Sequence, residues 1–258
     1  MIALQAIVLG IVEGLTEFLP VSSTFHLIWA ANILGLAQTE QQKVFAVVIQ
    51  SGAILAVIFL YFRTLVNDSH LIKKIIISFL PTAIVGLVLY KLIKDVFFEN
   101  YILQLTMFAL VGIIFIVFEK TRQGHAYTRN SADLTYAEAI MIGLAQSLAV
   151  IPGVSRAGAV ILALMLYNVK RDEAAKYSFL LAIPTIGSAS LFDLYKSRHE
   201  ILIQDNWLML GIGFLVSFIV ALIVIRWLTY YLQHHTMTMF GWYRIIATAG
   251  LLLFLAFH

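Results

Sequence analysis

Two carboxylates four residues apart, Glu13 and Glu17, end a stretch without charge that runs from Ile2 to Val12. A charged side chain at the centre of a membrane helix costs roughly 2.5–3.5 kcal/mol on insertion scales, so the pair is expected to have a compensating role. A spacing of four puts both on one helix face, about a turn apart. Pro20 follows and ends the helix, because it offers no N–H and disfavours helical geometry at Leu19. Then come Val21-Ser22-Ser23-Thr24-Phe25-His26, N-cap hydroxyls ahead of a second apolar run. A helix, a break and a new helix start at apparent membrane depth are tolerated only where they line a polar cavity. A second constellation, Ile151-Pro152-Gly153-Val154-Ser155-Arg156, repeats the device before another apolar run.

The chemistry open to these groups is narrow. Glu13 and Glu17 suit a divalent cation, acid–base work, or neutralisation of Arg156. Oxygen donors alone favour Mg²⁺ or Ca²⁺ over zinc. Arg156 carries a planar fork that matches phosphate oxygens. The helix N-termini after Ser22/Ser23 and after Ser155 attract anions through unpaired N–H groups and the positive dipole end. The plainer reading pairs Arg156 with Glu13 or Glu17 only to hold the fold, although buried ion pairs are poor stabilisers. His26, three residues after Ser23, is expected within hydrogen-bond reach of it. Nucleophile, general acid or base, and core histidine all stay open for His26. Taken singly, Ser22, Ser23, Thr24 and Ser155 read as caps. Gln50, a polar residue inside a span, is expected to face the same cavity. His125, His199, His234 and His235 fall in polar links and read as solvated.

The chain around these residues is 61% hydrophobic and 12% charged over 258 residues, with mean hydropathy +0.93. An ordinary soluble domain is excluded, and the long, numerous apolar runs imply an all-α polytopic membrane protein. The absence of cysteine removes disulfides, thiolate chemistry and cysteine metal sites. A net charge of +3 without a basic cluster gives nucleic acid no footprint. The N-terminus has neither a basic n-region nor a small-residue cleavage site, so it is expected to be retained.

In chain order the pattern predicts a broken pair (Ile2 to Leu19, then about Thr24 to Leu36), a polar link Gln38 to Lys43, and spans near Phe45–Tyr61, Leu71–Leu92 and Tyr101–Phe118. A polar link of about 119–135 leads to a second broken pair, Tyr136 to Val150 and then Arg156 to Tyr167. Spans near Tyr177–Tyr195, Trp207–Leu228 and Met239–Phe257 complete the chain. The halves align: Gly10-Ile11-Val12-Glu13-Gly14-Leu15 with Gly143-Leu144-Ala145-Gln146-Ser147-Leu148, and Phe45–Ile49 with Phe179–Ile183. One membrane domain is therefore expected, made of repeats at about 1–118 and 136–258. Each is a re-entrant broken pair plus three transmembrane helices, and three crossings leave the second repeat inverted, with the site at the interface. Arg63, Lys73, Lys74, Lys120, Arg122, Arg129, Lys170, Arg171, Lys176 and Arg226 fall on one side, and Lys43, Lys91, Lys94, Lys196 and Arg198 on the other. The first side is expected to be cytoplasmic, placing the N-terminal pair on the outer side.

The run Glu13 to Thr24 with His26, and Pro152-Gly153-Val154-Ser155-Arg156, resemble the signatures of the undecaprenyl pyrophosphate phosphatase family of the bacitracin-resistance type. Phe45 to Gly52 and Phe179 to Pro184 extend the resemblance over nearly the whole chain. It implies an inner-membrane hydrolase that converts undecaprenyl diphosphate to undecaprenyl phosphate, the carrier reused in peptidoglycan synthesis. It also implies a divalent-cation requirement and an active site open to the outer face. Catalytic roles fall on Glu13, Glu17, Ser23, His26 and Arg156, with Glu13 and Glu17 as metal ligands. The family's functional roles fall on Ser22 and Ser155 as well, and with the neighbouring motif residues Thr24, Gly153 and Val154, and with Gln50 from its place inside a span, these are expected to bind the substrate. Phe25, Ala157 and Val160 stand where the family usually has glycine, serine and threonine. Fewer phosphate contacts and a reshaped lipid entrance near His26 are the expected consequences. The rival from another class is a secondary transporter or lipid flippase, which would share the repeats and midplane charges but leave the hydroxyl–histidine cluster surplus. A scaffold leaves the buried charges unexplained.

Overall fold

Prolines and polar caps, rather than the apolar runs alone, set the helix boundaries. The computed structural model describes residues 1–37, 39–90, 100–196, 198 and 207–257, so Lys91, Lys94 and His199 lie outside the described residues. The helices are α1 (Ala3–Thr16), α2 (Ser23–Ile33), α3 (Glu40–Asn67), α4 (Ser69–Val88) and α5 (Tyr101–Thr121), then α6 (Tyr136–Ser147), α7 (Arg156–Leu166), α8 (Arg171–Lys196), α9 (Trp207–His234) and α10 (Thr238–Phe257). Strands are absent among the described residues, apart from an isolated bridge between Arg129 and Val169. Five helices, α3, α4, α5, α8 and α9, are long and apolar enough to cross a membrane. The chain is an all-α polytopic membrane protein.

Several helices run past their apolar stretch because a cap, not the lipid boundary, ends them. The Thr39 hydroxyl accepts from the Gln42 N–H at 3.2 Å, so α3 starts at Glu40 instead of Phe45. Asp68 caps α4 through the Leu71 N–H at 2.9 Å. In the other direction α1 stops at Thr16, short of Leu19. The Glu17 N–H makes a last helical bond to the Glu13 carbonyl, and residues 17–21 then turn around Pro20.

Helices approach most closely where glycine removes the side chain, as expected where lipid supplies no hydrophobic drive for helix association. In α1, a Cβ on Gly10 would lie 2.8 Å from the Gly213 carbonyl of α9. Gly143, its counterpart in the repeat alignment, would bring a Cβ within 2.2 Å of the Ser78 carbonyl of α4. So α1 of the first half packs on α9 of the second, and α6 of the second half packs on α4 of the first. The same exchange continues elsewhere: α3 packs on α8 and α9, and α5 packs on α10. The buried core drawn from both halves includes Phe18, Val21, Phe115, Tyr177 and Phe179. Outside it, long apolar side chains such as Phe59, Leu87, Ile223 and Leu253 are exposed, the surface a bilayer would cover.

The polar link folds against one end of this bundle. Arg129 makes a forked contact with Glu138 at 2.8 and 3.0 Å. Glu119 at the end of α5 accepts from Arg171 at 2.6 Å and from the Met237 N–H at 2.9 Å, tying the end of α5 to the starts of α8 and α10. Lys74 donates to the Ala132 carbonyl, and Lys170 to Asn130 at 3.0 Å. Lys196, by contrast, lies over the rings of Tyr90 and Phe192.

Candidate active site

Ser22 and Ser155 adopt left-handed backbone angles, φ 68° and 74°, immediately before α2 and α7. For a residue with a Cβ this costs on the order of 1–3 kcal/mol and persists only where surroundings enforce it. The effect is the same in both halves: the chain reverses sharply and a new helix begins at a cavity. Ser155 acts as a cap, its hydroxyl accepting from the Gly158 N–H at 3.2 Å. Ser22 makes no such bond, and its side chain lines the cavity instead. The cap reading therefore holds for Ser155 and is corrected for Ser22.

Glu17 joins the two turns. One carboxylate oxygen, Oε2, accepts from the Ser23 hydroxyl at 2.6 Å, and the other, Oε1, accepts from Arg156 Nη2 at 2.8 Å. Arg156 is seated by a second arm, Nη1 donating to the Ser178 carbonyl at 2.7 Å, while the Phe18 ring lies 5.9 Å beneath the guanidinium. The two side chains of the ion pair are 5% and 11% exposed, so their hydrogen bonds are little diluted by water. Arg156 Nε has no partner among the described residues.

The cavity has a volume of about 210 Å³, below the ~300–1,000 Å³ of a pocket for a drug-sized molecule. Its lining includes Glu17, Ser22, Ser23, Thr24, Ser155 and Arg156, and also Gln50, as the sequence leads one to expect. Sequence reasoning misses a neutral polar set in the same lining: Thr82, Gln146 and Thr185. Gln146 Nε2 donates to the Thr82 hydroxyl at 2.7 Å and the Thr185 hydroxyl at 3.2 Å. The signal was present, because each threonine follows a proline inside an apolar helix (Pro81, Pro184) and Gln146 aligns with Glu13.

Four expected site residues stand elsewhere. His26 does not meet Ser23: its Nδ1 is 2.8 Å from the Ser22 carbonyl and its Nε2 is 2.7 Å from the Tyr243 hydroxyl, with the two rings stacked. The Ser23 hydroxyl is taken by Glu17, and Tyr243 of α10 supplies the partner of the imidazole instead. Gly153 and Val154 are absent from the lining, and their carbonyls accept from Arg244 at 2.8 and 3.1 Å. Glu13 is wholly buried, outside the lining, and neither carboxylate oxygen has a hydrogen-bond partner among the described residues. Phe25 is buried, stacked on Phe108 at 4.1 Å and edge-on to the His26 ring at 5.6 Å. Ala157 and Val160 are buried away from the lining, so the missing hydroxyls remove nothing from the cavity wall. Arg244, fully buried in α10, went unnoticed in the sequence, although a lone charge inside an apolar run is the same signal that singled out Glu13.

The amino-acid sequence matches a known family over nearly its whole length. A family model described as bacitracin resistance protein BacA matches residues 6–250. An undecaprenyl-diphosphatase of Sulfurihydrogenibium sp. (strain YO3AOP1) is 47% identical over 247 residues, covering 95% of this chain and 96% of the relative. One of Aquifex aeolicus (strain VF5) is 48% identical, covering 94% of each chain. One of Persephonella marina is 44% identical over 252 residues, 97% of this chain and 98% of the relative. The chain belongs to the bacitracin resistance protein BacA family.

Proposed function

We infer that this protein is an undecaprenyl-diphosphatase, hydrolysing undecaprenyl diphosphate to undecaprenyl phosphate and inorganic phosphate and so returning the lipid carrier to peptidoglycan synthesis. One observation carries the assignment of roles: the Ser23 hydroxyl donates to Glu17 Oε2 at 2.6 Å while Arg156 holds Oε1. Ser23 is the nucleophile. Its oxygen attacks the terminal phosphorus, its proton passes to Glu17, and the bond to the bridging oxygen breaks, releasing undecaprenyl phosphate. Water then attacks the phosphoserine, restoring the hydroxyl and releasing inorganic phosphate. Arg156 and the two helix N-termini stabilise the equatorial oxygens. Ser22, Thr24, Ser155 and Gln50 bind the headgroup. His26, tied to Ser22 and Tyr243, supports the start of α2.

Glu13 and Glu17 fit a hard divalent cation, Mg²⁺ or Ca²⁺, because a buried carboxylate without hydrogen bonds stands one turn from a second. Such an ion would offset the diphosphate charge when bound. Two inverted repeats, at about 1–118 and 136–258, are the proposed architecture, supported by the contacts exchanged between the halves and by the left-handed backbone at Ser22 in one turn and Ser155 in the other. The bacterial inner membrane is the proposed site, with the active site open to the outer face and the end carrying Arg129, Lys170 and Arg171 in the cytoplasm.

Purified protein in detergent is expected to release phosphate from a prenyl diphosphate. Ser23→Ala and Glu17→Gln should each lose about 10²-fold or more, and excess chelator should abolish turnover until Mg²⁺ or Ca²⁺ is restored. A folded protein that moves lipid between leaflets without releasing phosphate would support the transporter instead. Full activity of Ser23→Ala with a weakened His26→Ala would transfer the nucleophile role to His26.

A further inference from the structure

Behind the cavity lies a side chain that the reaction above does not use. Arg244 of α10 is fully buried, yet among the described residues no carboxylate lies within ion-pair distance. Four main-chain carbonyls take its place. Nε donates to Pro20 at 2.9 Å, Nη1 to Gly153 at 2.8 Å and Phe108 at 3.3 Å, and Nη2 to Val154 at 3.1 Å. The rings of Phe108 and Phe115 lie 4.8 and 5.2 Å from the guanidinium carbon. Pro20 belongs to the turn that delivers Ser22 and Ser23. Gly153 and Val154 belong to the turn that delivers Ser155 and Arg156. One rigid planar fork therefore holds both turns, which are more than 130 residues apart in the chain (Pro20 to Gly153).

The two turns have a second connection on the cavity side, Glu17 between Ser23 and Arg156. That connection cannot survive catalysis unchanged, because phosphate oxygens compete with Glu17 for Arg156 and Ser23 must be free to attack. We propose that Arg244 is the positioning residue of this enzyme: it keeps the two turns in register when substrate opens the Glu17 connection. The proposal rests on the reading of Ser23, Glu17 and Arg156 as the site. Its ligands are backbone carbonyls, which substrate does not compete for, so the rear connection persists through the cycle. Close approach of α10 to α5 is built in: a Cβ on Gly112 would meet Arg244 Cβ at 2.9 Å and the Gly241 carbonyl at 2.9 Å. A displacement of about 1 Å between reacting groups costs as much as 10²-fold in rate, so the effect belongs in kcat.

Arg244→Lys keeps the charge but cannot span both turns with a planar fork, and Arg244→Gln removes the charge as well. In the folded, monodisperse fraction of each, kcat for prenyl diphosphate hydrolysis is expected to fall by about 10- to 100-fold with KM little changed. A merely structural arginine would lower the yield and melting temperature while the surviving folded fraction kept wild-type kcat, and that result overturns the proposal. A raised KM with unchanged kcat overturns it too, because it would mean distant attraction of the anion. If neither variant folds, Phe115→Leu leaves the arginine and its acceptors in place but loosens its seat. A several-fold drop in kcat is then expected, and unchanged kcat overturns the inference. Ser23→Ala assayed alongside separates the two readings: full turnover of that variant overturns the assignment of Ser23 on which the inference rests, whereas an inactive Ser23→Ala beside a fully active Arg244→Lys removes only the role of Arg244.

Discussion

Glu17 accepts from Ser23 and from Arg156 at once, so each of the three side chains fixes the other two. Arg156 in turn depends on its fork, because one arm reaches Glu17 and the other reaches the Ser178 carbonyl. A lysine ammonium is a point charge on a flexible stem and cannot hold both in the same plane. Arg156→Lys is expected to fold and insert but to lose roughly 10²–10³-fold in turnover, the scale for removing one preorganised donor. Phosphate release by the purified variant checks this, and near-normal turnover would take Arg156 out of the site.

At the scale of elements, the site exists because helices from different halves lie close enough to interlock. Gly143 is the tightest of these contacts, its missing Cβ only 2.2 Å from the Ser78 carbonyl. Ser78 is itself fixed there, donating to the Ala139 carbonyl at 2.7 Å and lying 2.7 Å from the Tyr177 hydroxyl. Gly143→Ala should push α6 from α4 and cost about 1–3 kcal/mol, the usual scale of overpacking. Gly86→Ala, at a helical glycine with nothing within 4 Å, should be neutral or stabilising by up to about 1 kcal/mol. Melting temperatures in detergent check both, and equal effects would mean that close approach does not matter at Gly143.

For the whole molecule, the polar link decides how the halves are joined at one end. Hydrogen bonds from Arg129 are the main cause that holds the Glu138 carboxyl down to about 2, against an ordinary value of 4.5. A depressed carboxylate contributes stability that is present above its ordinary value and is lost as pH falls towards the depressed one. Glu138→Gln should therefore lower the melting temperature at neutral pH, modestly, since part-exposed pairs contribute about 1 kcal/mol or less. The gap to wild type should close between pH 4.5 and about 2. A gap that stays constant across that window would show that the carboxylate charge is not what matters.

Much of this was legible before any fold was known. Charges inside apolar runs, prolines beside hydroxyls and the echo between the two halves singled out Glu17, Ser23, Ser155, Arg156 and Gln50, because each violates what a membrane helix requires locally. The helical, membrane-embedded class followed from composition and from the length and number of the apolar runs. Partner choice did not. Whether His26 turns to Ser23 or to Tyr243, and whether Glu13 lies in the cavity or behind it, depends on helix rotation and on residues more than 200 positions away, as with His26 and Tyr243. The rear connection was equally hidden, because carbonyls at Pro20, Phe108, Gly153 and Val154 carry no signature in side-chain sequence. Residue types are chosen locally by the cost of burying charge, whereas backbone acceptors become a binding site only when tertiary packing brings their segments around one guanidinium.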